Sequence, residues 1–319
     1  MSFRILLITF FMLGELHSEE NFGIVVHGGA GVMSGLSEEK QEQIQNKIRE
    51  TVSQAYLILE EGGSSLDAVE LAVSILEDSP LFNAGRGSVY NSDEVQEMDA
   101  SIMDGKNRLT GAVASISIVK NPIKLARKVA EETNHVLLVG EGAERFAKNI
   151  DIEIVNKEYF FHQERLQRAL NSKKKTSKLN QNLNKIGTVG AVALDKNGNI
   201  SAATSTGGMT NKMPGRVGDS PIIGSGTWAQ NGVCGVSSTG HGEYFIKYQV
   251  AREVCVRIEY LNQSLNDSSE SIINELNHIG ASGGLIAIDH KGNISTPFNT
   301  KGMIRGSQTN KTRLKSEIY

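Results

Sequence analysis

Cysteines and aromatic residues are scarce in this sequence. Its 319 residues include two cysteines, Cys234 and Cys255, a single tryptophan, and 6% aromatic residues. Two cysteines without C-x-x-C spacing form neither a disulfide framework nor a cysteine-rich metal site, and they could be paired or free. The histidines are scattered and no H-E-x-x-H motif occurs. A transition-metal enzyme therefore has little support.

An excess of charge of one sign is also lacking. The formal net charge is -3, with 22% charged and 39% apolar residues, which is the composition of a globular chain with a substantial core. A basic field for nucleic acid would have to be local, and the basic run SKKKTSK at 172–178 has no aromatic residues between its charges. We interpret this run as a solvated loop and predict no nucleic-acid partner.

The apolar run ILLITFFML at 5–13 is too short to span a bilayer. It follows Arg4 and precedes the small residues Gly14 and Ser18, which is the pattern of a signal peptide. We therefore predict a signal peptide over residues 1–18, a secreted product and no membrane partner. The alternative is a buried first strand. In a secreted chain, five Asn-x-Ser/Thr sequons become candidate glycosylation sites: Asn199, Asn262, Asn266, Asn293 and Asn310.

Helical and strand patterns alternate in groups through the first half. Apolar residues recur at intervals of three and four from Ser37 to Glu61, and a second helix is predicted to begin near Ser64 and to stop before Pro80. Residues 98–119 predict two strands joined by an Asp-Gly turn. Further helical patterns cover 123–130 and 141–148.

The second half begins after a polar connector. Residues 171–187 contain mostly Lys, Asn, Ser and Gln, which predicts a loop or an unstructured connector. Residues 188–206 predict a strand, an Asn-Gly turn and a strand, and 283–300 repeat this pattern. Residues 243–261 predict one helix. Paired strands grouped with paired helices favour an α+β fold with antiparallel sheets covered by helices.

Thr188 follows the connector directly and precedes an apolar strand. A threonine hydroxyl is a weak nucleophile until a base takes its proton, and that base can be the α-amine of the same residue once it is an N-terminus. An α-amine titrates at about 7.7 to 8.0, so part of it is neutral near physiological pH. This chemistry requires cleavage between Gly187 and Thr188. On the residues alone, Gly-Thr before a strand is more often only the start of that strand.

Several motifs together favour a catalytic role for Thr188. GTVGAVALD at 187–195, TSTGG at 204–208, GRVGDSPIIGSG at 215–226 and STGHGE at 238–243 occur in this order. Together with VVHGGAG, LFNAGRGSVYN and EMDASIMDG in the first half, and FNTKGMIRG near the end, they resemble the plant-type asparaginase and isoaspartyl peptidase family of N-terminal-nucleophile hydrolases. The resemblance covers nearly everything from Gly23 to Gly306 except the connector.

The resemblance implies a role for each matching residue. Thr188 would be the nucleophile, exposed by self-cleavage after Gly187, and Thr206 would supply a second hydroxyl beside it. Arg216 and Asp219 would hold the α-carboxylate and the α-ammonium of the substrate. A guanidinium binds a carboxylate in a forked, charge-assisted pair, and Asp supplies the opposite charge for an amine.

Further residues are implied around these groups. Thr239 and Gly240 would form the oxyanion hole, Gly242 would line the site for the substrate's α-groups, and Asn83 would lie beside the nucleophile. Two positions, Trp228 and Ile304, differ from the residues usual in that family and are expected at the rim of the pocket. No cofactor is expected for catalysis. The resemblance implies a structural sodium ion, held by the backbone carbonyls of Leu76, Glu77, Ser79, Phe82, Ala84 and Arg86.

The resemblance also implies the fold and the assembly. The fold would be a four-layer αββα sandwich of the N-terminal-nucleophile hydrolase type. Cleavage would divide it into an alpha subunit, residues 19–187, and a beta subunit, residues 188–319. The two would remain together as a heterodimer, and two heterodimers would associate. The substrate would be a small molecule, either L-asparagine or a β-aspartyl peptide.

Three alternatives remain at this stage. A glycosylasparaginase shares the expected fold and nucleophile but normally has Asp before its nucleophile, where this chain has Gly187. A catalytically inactive secreted relative would keep the fold without turnover. A serine hydrolase is suggested only by GASGG at 280–284, which precedes an apolar strand, whereas a nucleophile elbow requires a strand, a turn and then a helix.

Overall fold

The structure is a computed structural model that describes residues 20–31, 33, 35–174 and 187–319. The predicted signal peptide and most of the predicted connector lie outside the described residues. The strands are β1 (Gly23–Gly31), β2 (Met98–Asp104), β3 (Thr110–Ile116), β4 (Leu137–Val139), β5 (Val189–Leu194), β6 (Ile200–Thr206), β7 (Thr227–Gln230), β8 (Cys234–Gly240), β9 (Gly283–Asp289), β10 (Ile294–Ser295), β11 (Gly302–Thr309) and β12 (Thr312–Glu317). The helices are α1 (Glu38–Glu60), α2 (Ser65–Glu77), α3 (Pro122–Glu132), α4 (Gly140–Asn149), α5 (Lys157–Phe160), α6 (Gln163–Lys174), α7 (Gly242–Tyr248), α8 (Val250–Leu261) and α9 (Leu265–His278).

Eight strands form the larger sheet, in the order β12-β11-β1-β5-β6-β2-β3-β4. All neighbouring pairs are antiparallel except β3 and β4, which run parallel. Strand β1 lies between β11 and β5, with Gly23 opposite Thr309 on one side and Leu194 on the other. Strand β6 pairs with β5 and β2. Strands from before and after Gly187 therefore alternate within one hydrogen-bonded sheet.

Four strands form the smaller sheet, in the order β10-β9-β8-β7. Its strands contact the larger sheet, since β8 lies against β5 and β6, and β9 lies against β1. Fully buried apolar residues between the sheets include Val192, Ile200 and Val236. This packing brings the ends of β1, β5, β6 and β8 close together.

Helices cover the sheets on their other sides. Helices α1 and α2 pack against the larger sheet through a cluster that includes Ile44, Ile48 and Val73, and α8 and α9 pack against the smaller sheet. The predicted starts of the first two helices are confirmed, because Ser37 and Ser64 accept hydrogen bonds from the backbone N–H groups of Lys40 and Asp67. None of the helices among the described residues is both long and apolar enough to cross a membrane.

The prediction of one continuous helix over 243–261 is wrong in one respect. The helix is divided into α7 and α8 at Gln249, whose backbone is left-handed with φ of 50°. The Gln249 side chain donates to Ser225 Oγ and to the carbonyl of Ile246, which compensates for the interrupted helix. Hydrophobic periodicity is the same on both sides of this break, so the pattern alone could not reveal it.

The sequence did not decide whether Cys234 and Cys255 are paired. In the structure they form a disulfide with a Cα–Cα distance of 5.6 Å. Cys234 begins β8 and Cys255 lies in α8. The bond therefore fastens a helix to the strand that ends at Thr239 and Gly240.

Glu77 is a buried carboxyl group at the end of α2. Its Oε1 atom accepts hydrogen bonds from Ser205 Oγ at 2.6 Å and from the backbone N–H of Ile123 at 3.0 Å, so it joins α2 and α3 to β6. Burial raises the pKa of Glu77 from 4.5 to about 8. The side chain is therefore mostly protonated at neutral pH.

We expect Glu77→Gln to reduce the pH dependence of stability. Because the folded-state pKa lies above the unfolded value, the folded protein binds more protons between about pH 4.5 and 8, and its free energy of unfolding falls as pH rises through that window. The glutamine variant should lose this slope, by up to about 1.4 kcal/mol per pH unit. Urea unfolding from pH 5 to 8 measures it, with the exposed-site variant Glu61→Gln as control. Equal slopes in the wild type and Glu77→Gln would contradict the assignment.

Candidate active site

A cavity of about 480 Å³ opens where β1, β5, β6 and β8 end. Among the residues that line it are Gly187, Thr188, Thr206, Thr239 and Gly240. The same cavity is lined by Arg216, Asp219 and Asn83. Three threonine hydroxyls, a cation and a carboxylate that are far apart in the sequence thus surround one space of the size usual for a small-molecule site.

Thr188 lies at the start of β5 and is 8% exposed. Its Oγ1 atom donates a hydrogen bond to Thr206 Oγ1 at 3.1 Å. Thr206 Oγ1 also accepts from the backbone N–H of Gly208 at 3.0 Å. Since β5 and β6 are hydrogen-bonded neighbours, the hairpin predicted from 188–206 places the second hydroxyl beside the first.

The carbonyl of Thr188 is held by His27. The Nδ1 atom of His27 lies 3.0 Å from Thr188 O, and Nε2 lies 3.0 Å from Ser237 Oγ. A carbonyl can only accept, so Nδ1 carries the proton and Nε2 accepts from Ser237. Burial lowers the pKa of His27 to about 3, so the ring is neutral. His27 therefore positions the backbone of Thr188 and does not act as its base.

Thr239 lies close to the bond before Thr188. Its Oγ1 atom accepts a hydrogen bond from the backbone N–H of Ala30 at 3.3 Å, which leaves the hydroxyl proton free to be donated elsewhere. A Cβ built on Gly187 would lie 2.7 Å from Thr239 Oγ1, so this hydroxyl faces the residue before Thr188. Gly240 follows on β8, where a Cβ would lie 2.6 Å from the carbonyl of Ser282. Only a glycine fits between these strands.

Arg216, Asp219 and Gly242 meet at another part of the cavity. A Cβ on Gly242 would lie 2.8 Å from Asp219 Oδ1 and 3.0 Å from Arg216 Nη2, so the glycine keeps the space between the two charges open. Arg216 is held by Glu243, with Nη2 and Oε1 2.9 Å apart. Asp219 Oδ2 is buried without a hydrogen-bond partner among the described residues. Burial raises the pKa of Asp219 to about 7.

Asn83 belongs to the loop that follows α2. Its Nδ2 donates to the carbonyl of Gly208 at 2.8 Å, and its Oδ1 accepts from the N–H of Val89 at 3.0 Å. The side chain thus ties this loop to the turn after Thr206. It lines the cavity, but the amide is engaged within the protein.

The loop over 76–86 offers backbone carbonyls and no charged cluster. No group of three or more His, Cys, Asp or Glu residues suited to a metal is found in the described part of the chain. Backbone carbonyls lie close to two glycines in this region: a Cβ on Gly85 would meet Glu77 O, and one on Gly87 would meet Phe82 O. These oxygens suit a hard cation such as sodium.

Some expectations about the rim of the pocket are wrong. Trp228 packs between the guanidinium groups of Arg108 and Arg252, 5.8 and 5.5 Å from its ring, and Ile304 is fully buried in the core. Neither is among the described residues that line the cavity.

Ser282, from the GASGG motif, does line the cavity. It follows helix α9 and precedes strand β9, which is the reverse of the order in a nucleophile elbow.

The structure adds residues that the sequence did not indicate. Arg165 and Arg168 on α6, and Lys301 before β11, also line the cavity. Arg165 is 7% exposed. A signal for it was available, because Arg165 and Ala169 are four residues apart and share the buried face of α6. A charge on an inward helical face is unusual enough to suggest a site.

If the chain is cleaved before Thr188, as the resemblance implies, Gly29→Ala should impair that cleavage. Gly29 has φ of +106°, and a Cβ there would lie 2.4 Å from Gly187 N, with its three nearest atoms all in the backbone of Gly187. The alanine would displace Gly187 from Thr239, so uncut chain should accumulate at least about tenfold over wild type, as denaturing gel electrophoresis can measure.

Gly35→Ala is a matched control for this variant. Gly35 has φ of +107°, yet a Cβ there would meet nothing within 4 Å. It carries the same backbone strain without the contact to Gly187. Equal cleavage of the two variants would show that the close approach of Gly29 and Gly187 does not matter.

Comparisons with known proteins agree with this arrangement. The family model described as asparaginase matches residues 20–317. The chain is 45% identical to the isoaspartyl peptidase of Escherichia coli over 88% of this chain and 91% of the relative. It is 44% identical to the isoaspartyl peptidase/L-asparaginase of Xenopus laevis over 88% and 90%, and 41% identical to that of Bos taurus over 88% and 91%.

These matches extend over most of each protein. The chain is therefore an enzyme of the threonine-nucleophile amidohydrolase class. It belongs to the asparaginase family that the matching model describes, and the resemblance noted from its motifs is confirmed.

Proposed function

We propose that this protein hydrolyses L-asparagine to L-aspartate and ammonia, and β-aspartyl peptides to aspartate and the second amino acid. The observation that carries this proposal is the arrangement of Thr188, with its neighbouring hydroxyls, in the same cavity as the pair Arg216 and Asp219. The pair offers opposite charges for the α-carboxylate and α-ammonium of an aspartyl group. The side-chain amide of that group would then face the nucleophile.

The proposed reaction proceeds in two steps. The α-amine of cleaved Thr188 takes the proton of its own hydroxyl, and Oγ attacks the side-chain carbonyl carbon of the substrate. Thr239 Oγ–H and the backbone N–H of Gly240 stabilise the oxyanion, a donor being worth about 2.7 to 4 kcal/mol of barrier. The C–N bond breaks, and the leaving amine takes the proton. Water then hydrolyses the β-aspartyl ester and restores Thr188.

Self-cleavage would precede this reaction and use the same groups. Thr188 Oγ attacks the carbonyl carbon of Gly187, and its proton passes to solvent, either directly or through Thr206, whose hydroxyl takes this proton as it gives up its own. The C–N bond breaks as Thr188 N takes a proton, which leaves an ester. Hydrolysis of that ester gives the carboxylate of Gly187 and the free amine of Thr188. The proximity of Gly187 to Thr239 Oγ1 supports this proposal.

Cleavage would leave the two pieces in one fold. β1 to β4 belong to residues 19–187, β5 onward belong to 188–319, and β1 is hydrogen-bonded on both sides by strands of the second piece. The contacts of helices with each sheet, and of the sheets with each other, support a four-layer αββα sandwich. An experimental structure with a different layer order would contradict it. Native mass measurement tests the further expectation of two heterodimers.

Product release from a cleaved sample tests the activity. We expect ammonia from L-asparagine and free aspartate from β-aspartyl dipeptides. Hydrolysis of N-acetylglucosaminyl-asparagine alone would instead identify a glycosylasparaginase. No turnover of any of the three by fully cleaved protein would indicate an inactive relative.

Secretion is a separate proposal. Disulfides persist mainly in oxidising compartments, so the bond between Cys234 and Cys255 supports the predicted signal peptide. Among the sequons, Asn262, Asn266 and Asn293 are exposed, so they are the proposed glycosylation sites. Expression in a eukaryotic secretory host should yield protein in the medium whose mass falls on enzymatic removal of N-glycans. Retention in the cell with residues 1–18 intact would contradict secretion.

Sodium binding by backbone carbonyls of residues 76–86 is proposed from the resemblance to the asparaginase family. The residues proposed to hold the ion are the six that the resemblance implies: Leu76, Glu77, Ser79, Phe82, Ala84 and Arg86. The melting temperature should be higher in sodium chloride than in choline chloride at equal ionic strength. Equal melting temperatures would contradict the site.

A further inference from the structure

The cavity carries more positive charge than an aspartyl group requires. Four cationic side chains, Arg165, Arg168, Arg216 and Lys301, line it, whereas Asp219 is the one carboxylate among its described lining residues. Arg216 is paired with Glu243 beside Asp219. The other three cations have no part in the binding of the substrate's α-groups.

Arg165 is the buried member of this group. It is 7% exposed and forms no ion pair with any carboxylate in the described part of the chain. Its Nη2 atom donates to the carbonyl of Leu81 at 3.4 Å, and its Nε has no hydrogen-bond partner among the residues that the structure describes. Burial and the neighbouring charge of Arg168 lower the pKa of Arg165 to about 10, which still leaves it charged at neutral pH.

A buried guanidinium without a counter-ion is unfavourable and is stabilised by an anion that enters the cavity. Arg165 is also linked to the loop that carries Asn83. Leu81, which accepts its hydrogen bond, is two residues from Asn83, and Asn83 in turn binds the turn after Thr206. Arg165 and Thr188 line the same cavity. A ligand held at Arg165 therefore lies in the cavity that contains the proposed nucleophile.

The two proposed substrates differ in their anionic groups. The α-carboxylate and α-ammonium that both contain are assigned to Arg216 and Asp219. L-asparagine has no further anion, since its leaving group is ammonia. A β-aspartyl dipeptide has one more, the carboxylate of the amino acid that leaves.

We propose that Arg165, assisted by the exposed cations Arg168 and Lys301, binds the carboxylate of the leaving amino acid. This inference rests on the proposed hydrolysis. It makes Arg165 a specificity-determining residue and makes short β-aspartyl peptides with a free C-terminus the preferred substrates over L-asparagine. A second source of a carboxylate exists, because self-cleavage would create one at Gly187, which lines the same cavity.

Three substrates show whether Arg165 binds the leaving amino acid or the carboxylate of Gly187. They are β-aspartyl-alanine, its C-terminal amide, and L-asparagine. In cleaved wild type, kcat/KM should be about 10- to 100-fold higher for the acid than for the amide, the range of a charge-assisted hydrogen bond. Added salt should reduce that ratio. Arg165→Met should remove it, chiefly by raising KM for the acid, and leave the amide and L-asparagine within about twofold. Arg165→Lys should retain part of it.

The control is Arg145→Met, which removes an exposed arginine of α4 that does not line the cavity and should change none of the three. Equal kcat/KM for acid and amide in wild type overturns the inference even if Arg165→Met fails to fold. A uniform loss with all three substrates in Arg165→Met also overturns it, because it assigns Arg165 to the Gly187 carboxylate or to the loop of Leu81. If cleaved wild type hydrolyses none of them, the proposed function itself fails, and the inference with it.

Discussion

Thr188→Ala should remain a single chain and lose hydrolytic activity. The hydroxyl that donates to Thr206 at 3.1 Å is the only one at this position, and without it no ester can form with Gly187 or with a substrate. Rates should fall on the order of 10⁶-fold, as found when the nucleophile is removed from a serine protease. Denaturing electrophoresis and ammonia release from L-asparagine measure both effects.

Thr188→Ser is the matched variant for this change. It keeps a hydroxyl and, once cleaved, an α-amine, so it should be cut and should turn over slowly. Val189 and the rest of β5 are unchanged in both variants, so the fold should persist in each. If Thr188→Ala were cleaved, or hydrolysed asparagine at a rate close to that of wild type, Thr188 could not be the nucleophile.

Asp219→Asn should have the second largest effect, on substrate affinity. Asp219 is buried, and its Oδ2 has no partner among the described residues, so its ionised form can pair with an α-ammonium group. Loss of one member of a buried charge pair costs about 2 to 5 kcal/mol, which is about 30- to 5,000-fold in kcat/KM. Steady-state kinetics should show the loss mainly in KM, while Asp93→Asn, at an exposed site outside the cavity, should show none.

The pH dependence of kcat/KM gives a second test of the role of Asp219. Burial raises the pKa of Asp219 to about 7, so the carboxyl of the free enzyme loses its proton as pH rises through 7 and then attracts the ammonium. In the wild type, kcat/KM should therefore rise with pH through two ionisations, that of Asp219 and that of the Thr188 α-amine, which titrates at about 7.7 to 8.0. The Asp219→Asn profile should keep only the second. An unchanged profile and KM would contradict the role of Asp219.

The main elements near the nucleophile could be predicted because they are local. The hairpin of β5 and β6 has its own turn residues and alternating pattern, and this hairpin alone places Thr206 opposite the start of β5. The caps at Ser37 and Ser64 are likewise readable within a few residues. The asparaginase family could also be identified, because several motifs occur in a fixed order.

Other features depend on contacts between distant segments. The left-handed Gln249 is stabilised by Ser225, 24 residues earlier, so no local pattern indicates the break between α7 and α8. The tail after Gly306 could not be assigned, yet Thr312–Glu317 forms an edge strand against β11, with a largely exposed face that resembles a loop in composition. Arg165 reaches the cavity only because α6 packs beside the loop of Leu81.

The mass of the purified wild-type protein under denaturing conditions tests the central claim most directly. We predict two fragments, with the smaller one beginning at Thr188 and ending at Tyr319. Such a fragment carries the free α-amine that the proposed mechanism uses as its base. A single uncut chain in protein that nevertheless hydrolyses asparagine would contradict the account, because Thr188 would then have no amine to activate it.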